Sequence, residues 1–248
     1  MTVRTDGIII REQTTGEQDR LVTVLTREKG LIKAFVNGGR NPKNKNVSAT
    51  DLLCYSHFTI EKTKRDVYVI REATAKQVFF ELREDITNLS LAQYFAELAG
   101  DLAPKEEKSD ELLSVILNSL HFLCTKKKSD LLIKAVTELR LASLAGFMPD
   151  IVACNGCGEY EKEFMYFNTG NGSLYCEDCN KNAYADRVSS GILSALRHIC
   201  LSAPGKIYSF SLSEENLLYL CTLTENYVKS VTYKQYKTLD FYKTMKNL

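Results

Sequence analysis

The chain has no tryptophan, only three histidines among 248 residues, and no apolar run near the roughly 18 residues that a membrane-crossing helix needs. Each absence narrows the possible functions. Without tryptophan, any stacking on bases falls to tyrosine or phenylalanine. His57, His121 and His198 each lie in or beside an apolar run. They are followed by Phe-Thr, Phe-Leu and Ile-Cys, so the His-x-Glu signature of a zinc deaminase is missing. The motifs GxxxxGKS/T, GxGxxG and GxSxG are missing as well, and no clustered carboxylate motif supports a metal-dependent nuclease. The expectation is a protein that is not an enzyme. Met1-Thr-Val-Arg-Thr-Asp has neither the basic region nor the apolar core of a secretory signal. Eight cysteines then read as reduced thiols in the cytoplasm.

Excess charge of one sign is also lacking, since the net charge is +1. Its distribution is uneven. Residues 1–80 carry 14 Lys/Arg against 9 Asp/Glu, residues 81–153 carry 8 against 12, residues 154–189 carry 3 against 6, and residues 190–248 carry 7 against 4. Basic ends around an acidic middle point to a polyanion at one surface.

Two CxxC pairs, Cys154/Cys157 and Cys176/Cys179, are separated by 18 residues. That is the knuckle spacing of a structural four-cysteine zinc site, in which the intervening segment returns the second pair to close a tetrahedron. Gly156 and Gly158 supply the conformational freedom of the first turn, and Asp178 and Asn180 serve as turn residues in the second. Four cysteines leave the metal no open position, which suits one structural Zn²⁺ per chain. Cys54, Cys124, Cys200 and Cys221 lie among apolar neighbours and read as buried free thiols.

The first 80 residues show short strands with turn punctuation, at Gly7–Arg11, Leu21–Thr26, Leu31–Val36, Leu52–Lys62 and Val67–Ala75. With no room for crossover helices, they predict a five-stranded OB-like barrel, although an SH3-like barrel has a similar strand count. From Thr87 the apolar period becomes 3.6, predicting amphipathic helices with Ser109 and Ser129 as caps and Gly146 as a stop. Helical patterning resumes at Ser189–Leu201 and again from Ser213 and from Tyr233. The predicted class is α+β. It comprises a barrel over 1–80, a helical bundle over 81–153 and 189–248, and an inserted four-cysteine zinc module over 154–188.

Gly38-Gly-Arg40-Asn-Pro42-Lys43-Asn-Lys45 is a basic loop in which paired glycines let backbone approach phosphate. With Arg11, Arg20, Arg27, Lys29, Lys33, Lys62 and Lys64, the cations Arg40, Lys43 and Lys45 form the candidate DNA-binding set. Alternation places Lys33 and Phe35 on one side of the third strand and Ile32, Ala34 and Val36 on the other. Whether Phe35, Tyr55, Phe58 or Tyr68 stacks on bases or packs inward stays open here, and so does a protein-interaction scaffold with an incidental basic surface. An apolar pocket edged by Lys126-Lys-Lys128 or by Lys134 is a further possibility among the helical stripes.

These residues resemble the RecO family of bacterial recombination mediators. The match runs from Gly7-Ile-Ile-Ile-Arg11 through Gly16-Glu17-x-Asp19-Arg20-Leu-Val-Thr-Val-Leu-Thr26 and Glu28-x-Gly30-Leu-Ile. It continues to Gly38-Gly-Arg40-x-Pro42-Lys43 and the two cysteine knuckles. Asn37 departs from the lysine that usually precedes those glycines. The resemblance implies an N-terminal OB-fold, a helical domain with a zinc insertion, and a DNA-repair accessory role. It implies binding to single- and double-stranded DNA, annealing of complementary strands, and engagement of the C-terminal tail of single-strand-binding protein. Cooperation with RecR in loading RecA is also implied, in the bacterial cytoplasm at the nucleoid during repair and with no membrane partner.

Overall fold

Period-two alternation in the first 78 residues produces five strands: β1 (Thr2–Thr15), β2 (Asp19–Thr26), β3 (Gly30–Val36), β4 (Cys54–Lys62) and β5 (Tyr68–Val78). In the computed structural model, which describes residues 2–247, they close into a barrel of order β1-β2-β3-β5-β4. All neighbours are antiparallel except β3 and β5, which pair in parallel at Ala34–Tyr68 and Phe35–Val69. The expected OB-like class is therefore what forms. Ile9, Val22, Val24, Ile32, Ala34, Val36, Phe58, Ile60 and Ile70 fill the interior. Phe58 is fully buried there, which removes it from the candidates for base stacking.

A bulge between Ile9 and Arg11 interrupts the alternation of β1. One extra residue resets the pleat. Ile8, Ile9 and Ile10 are consequently all buried, and the strand emerges with Arg11 exposed.

Three helices share a compact unit with the barrel, comprising Met1–Thr125 and Tyr236–Leu248. These are α1 (Ile86–Leu102), α2 (Asp110–Thr125) and the C-terminal α6 (Lys237–Lys246). Asp85 starts α1, its carboxylate accepting the Thr87 and Asn88 N–H groups at 3.1 Å. Such a cap contributes about 1 kcal/mol. Ser109 precedes α2 as predicted, but its hydroxyl donates to the Glu107 carbonyl at 3.4 Å. Asp110 and Glu111 supply negative charge in that first turn instead. Tyr236 packs edge-on against Tyr94 of α1, with centroids 5.4 Å apart, and Thr238 donates to Glu97 at 2.6 Å.

Between α1 and α2 the chain returns to the barrel. Lys105 bridges to Gly30 and Leu31, and the Leu31 N–H donates to the Pro104 carbonyl at 2.9 Å. β5 pairs only with the later half of β3, so the linker occupies the edge of the earlier half.

Lys126–Gln235 form the second unit. It contains α3 (Asp130–Leu144), α4 (Ser190–Leu201) and α5 (Glu214–Thr232), with a sheet of order β7-β6-β8. Those strands are β6 (Phe164–Asn168), β7 (Ser173–Tyr175) and β8 (Asp186–Ser189). Ser129, Ser189 and Ser213 cap the three helices by accepting the N–H groups of Leu132, Ile192 and Asn216. The segments 81–153 and 189–248 thus each contribute helices to both units.

Lys134 of α3 is buried against α5. Its Nζ lies 2.9 Å from Glu138 and 3.2 Å from Glu225, which also accepts from Lys229 at 2.7 Å. Burial alone would depress the Lys134 ammonium. Glu138, the Cys221 sulfur and Glu225 outweigh that and hold its pKa above the ordinary lysine value.

Candidate nucleic-acid interface and metal centre

Cross-strand register assembles the cationic face. Arg11 of β1 lies opposite Thr23 of β2, and Thr23 lies opposite Lys33 of β3. Directly opposed residues in antiparallel strands project to the same side. Ile32 and Ala34 point inward, so the row Arg11–Thr23–Lys33 points out. The next row is Gln13–Leu21–Phe35, which places Phe35, half-buried, on the outer face beside Lys33. Among the described residues, neither Arg11 nor Lys33 has an ion-pair partner.

The Gly38–Lys45 loop is fixed at its base. Gly38 N–H donates to Asp19 at 2.7 Å, Arg40 N–H donates to the Gln18 carbonyl at 3.0 Å, and the Arg40 guanidinium donates to the Glu17 carbonyl at 3.1 Å. These bonds seat the loop on the β1–β2 turn. Lys43 projects from it without an ion-pair partner among the described residues. Lys45 meets Glu72 at 3.2 Å, but both side chains are largely exposed. Such a pair is worth roughly 0–1 kcal/mol and exchanges readily for a phosphate. In the β4–β5 turn Lys64 is exposed, and Lys29 is half-buried in the β2–β3 turn.

Three of the ten candidate cations are occupied elsewhere. Arg20 shares its side of β2 with Val22 and Val24, and so turns toward one mouth of the barrel. There it contacts Glu12 at 3.3 Å, Asp51 at 3.0 Å, the Thr50 hydroxyl at 2.7 Å and the Val47 carbonyl at 2.9 Å. With its side chain only 12% exposed, Arg20 holds the β3–β4 connection in place and offers little to a ligand. Arg27 pairs with Asp110 at the start of α2, at 3.1 Å. Lys62 pairs with Asp66 at 2.7 Å and lies over the Tyr68 ring, whose hydroxyl donates to Glu106 at 3.2 Å. Tyr68 packs against the barrel core, and the Tyr55 hydroxyl donates to Asp6 at 3.4 Å.

Sequence reasoning did not foresee the cluster around Asp6. Its carboxylate meets His57 Nδ1 and Lys76 Nζ, each at 2.8 Å. Burial would raise the Asp6 pKa, but hydrogen bonds with Lys76 and His57 prevail and lower it. The other histidines are also engaged. His198 bonds the Lys206 carbonyl at 2.8 Å and Ser202 at 3.1 Å, and His121 lies edge-on to Phe122.

Cys154, Cys157, Cys176 and Cys179 converge, with all four sulfurs within 4.8 Å of one another. The Cys157 and Cys176 sulfurs are 3.7 Å apart. A tetrahedral site with Zn–S near 2.3 Å has sulfur–sulfur edges of about 3.8 Å, so the cluster fits zinc. Close approach explains Gly156: a Cβ there would lie 2.8 Å from the Cys179 sulfur. Gly158 adopts φ +78, which a side chain would disfavour. The β6–β7 hairpin delivers Cys176 directly after Tyr175. Asn155 registers the two knuckles, exchanging backbone and side-chain bonds with Leu174 at 2.8 and 3.2 Å.

The cluster's electrostatics match that donor set. Burial would raise Cys154, but the backbone N–H groups of Cys176, Cys157 and Gly156 bring it down to about 6. Cys157 receives help from the Glu159 N–H yet is raised by Cys154 and Cys176. Cys179 is pushed up to about 12, mainly by hydrogen bonding with Cys176 and Cys157. One thiolate forms readily and further ones are resisted; a divalent cation neutralises all together. Elsewhere, burial pushes Cys200 and Cys221 up to about 11 and 12, as suits inert thiols. Cys124 is only half-buried, and burial again leads the forces raising it to about 11.

Comparison with known proteins agrees with this architecture. The family Recombination protein O N terminal matches residues 1–79, and Recombination protein O C terminal matches residues 83–240. The DNA repair protein RecO of Acetivibrio thermocellus is 35% identical over 98% of this chain and 97% of its own length. That of Symbiobacterium thermophilum is 27% identical over 98% and 97%, and that of Alkaliphilus metalliredigens 27% over 73% of each.

Proposed function

This chain belongs to the RecO family of DNA repair proteins, and we propose that it binds single- and double-stranded DNA and anneals complementary strands. The observation that carries this reading is the outward row Arg11–Thr23–Lys33 on an OB-like barrel, with Lys43 and Lys64 exposed on adjoining turns. Annealing needs no catalytic base. It needs cations that let two polyanions approach, and contacts that leave base edges free to pair. Phosphate contacts by Arg11, Lys33, Lys43, Lys45 and Lys64 meet both requirements, and the near-neutral whole limits indiscriminate adhesion.

The protein acts as a mediator, not an enzyme, helping with RecR to load RecA on strands coated by single-strand-binding protein, whose C-terminal tail it engages. Its setting is the bacterial cytoplasm, at the nucleoid during repair. No described helix is long and apolar enough to cross a membrane. Cys154, Cys157, Cys176 and Cys179 hold one zinc per chain, which cross-links the two knuckles and takes no part in a reaction.

A strand-annealing assay on complementary oligonucleotides, with and without single-strand-binding protein, tests the proposal. Acceleration that falls as salt rises is expected. No acceleration, together with no gel shift at moderate salt, would sink it and favour a protein-binding scaffold.

A further inference from the structure

We infer that Arg197 is the positioning residue of the metal centre, anchoring the first cysteine knuckle to the helical body; this rests on reading the four cysteines as a zinc site. Arg197 projects from α4 on a face otherwise lined by Leu193, Leu196 and Cys200, and is 8% exposed. Its Nε donates to the Ile151 carbonyl at 2.8 Å, and its Nη2 to the carbonyls of Val152 at 2.8 Å and Tyr160 at 2.5 Å. The guanidinium also stacks on the Tyr160 ring, 4.1 Å from its centroid. Ile151 and Val152 lead into Cys154, and Tyr160 follows Cys157 by three residues. One planar cation therefore grips both legs of the loop that carries the first pair of ligands.

Hydrogen bonds linking Asn155 with Leu174 and Asp150 help to hold the loop, but apolar burial does not. Residues 155–163 are all exposed, and Val152 and Tyr160 are about half exposed, so no apolar core fixes its shape. Yet that shape places the Cys154 sulfur where the Gly156 and Cys176 N–H groups reach it, at 3.4 and 3.2 Å. The grip needs arginine. A planar fork can satisfy carbonyls from two chain segments and stack on an aromatic face at once, whereas lysine offers a single point of donation. Outer-shell partners of this kind change metal affinity by about 10–100-fold.

Arg140 supplies an internal control. It is also buried and bonds the last turn of the same helix, donating to the Ile199 and Cys200 carbonyls at 3.3 and 2.5 Å. Those carbonyls belong to α4 and not to the knuckle.

The full-length chain, reduced and freed of metal, is titrated with Co²⁺ as a spectroscopic replacement for zinc. Wild type, Arg197→Met, Arg197→Lys and Arg140→Met are compared, with circular dichroism reporting folding. Wild type should show thiolate-to-cobalt charge transfer and the visible bands of tetrahedral cobalt. Arg197→Met should bind about 10–100-fold more weakly and release metal to a chelator faster. Arg197→Lys, the milder change, should fall between and carries the test should the methionine variant not fold. Arg140→Met should melt earlier yet keep the wild-type affinity and spectrum. Wild-type affinity and spectrum in the folded Arg197 variants would overturn the inference. So would an equal loss in Arg140→Met, which would mark general destabilisation. Absence of thiolate–cobalt bands in wild type would instead remove the zinc reading on which the inference stands.

Discussion

Lys134 and Glu138 form an ion pair 2.9 Å apart, with side chains 3% and 0% exposed. Two charges this far from water stabilise a fold only while both are present. Lys134→Met would leave Glu138 and Glu225 without their shared cation and should destabilise the second unit by roughly 3–5 kcal/mol, read by chemical denaturation. The raised Lys134 pKa fixes the sign of the pH dependence. Its contribution is fully present below the ordinary lysine value and is lost as pH rises through the higher folded one, so this pair's share of the stability should fade only in strong alkali. An unchanged midpoint at neutral pH would contradict this.

Arg20→Ala should injure the barrel more than the DNA contact. Its contacts to Asp51, Thr50 and Val47 tie the β3–β4 connection to β2, and removing charge-assisted bonds of this kind costs about 1.5–3 kcal/mol each where they are shielded. A lower melting temperature is expected, with DNA affinity per folded molecule close to wild type. The reverse pattern would place Arg20 at the interface.

Neutralisation of about five phosphates implies a slope of roughly −3.5 for log K against log salt on single strands. Lys33→Ala should make that slope shallower by about 0.7 and weaken all sequences alike. Phe35→Ala, on the same outer face, should cost about 1–3 kcal/mol on an oligothymidine while sparing duplex binding, as expected for a stacking side chain. Equal losses on both substrates would assign Phe35 to packing.

Cys154→Ser should abolish stoichiometric zinc and loosen the knuckle, leaving barrel-mediated DNA binding in place. Structural zinc contributes about 10–16 kcal/mol in small peptides, enough to decide whether so exposed a loop is ordered. Metal content with limited proteolysis of the 155–163 region provides the measurement, and complete loss of DNA binding would mean that the interface lies elsewhere.

Alternating strands, serine caps and paired cysteines are local patterns, and each was legible in the sequence. Ser129 behaves as the expected cap while the Ser109 hydroxyl turns to the Glu107 carbonyl, and Cys154 meets Cys176 because spacing encodes the tetrahedron. The cations were harder. Arg20 is in phase with Val22 and Val24, so alternation places it on the inner side, where its charge meets Glu12 and Asp51. Arg27 and Lys62 lose their freedom to Asp110 and to Asp66, through contacts no local pattern announces. The bulge at Ile10 likewise hides in three consecutive isoleucines. Arg197 left one usable trace, a guanidinium embedded in the apolar stripe Leu193–Leu196–Cys200.

The linker at Pro104–Lys105 has a consequence for anyone dissecting the molecule. It lies along the edge of the early half of β3 opposite β2, where the parallel β5 has not yet begun. A fragment ending at residue 80 would bare those backbone groups, and a naked strand border recruits another copy of itself. Such a truncation should elute from a sizing column as dimers or larger species, whereas a fragment extending through Thr125 should run smaller. Monomeric behaviour of the short piece would show that the barrel seals itself.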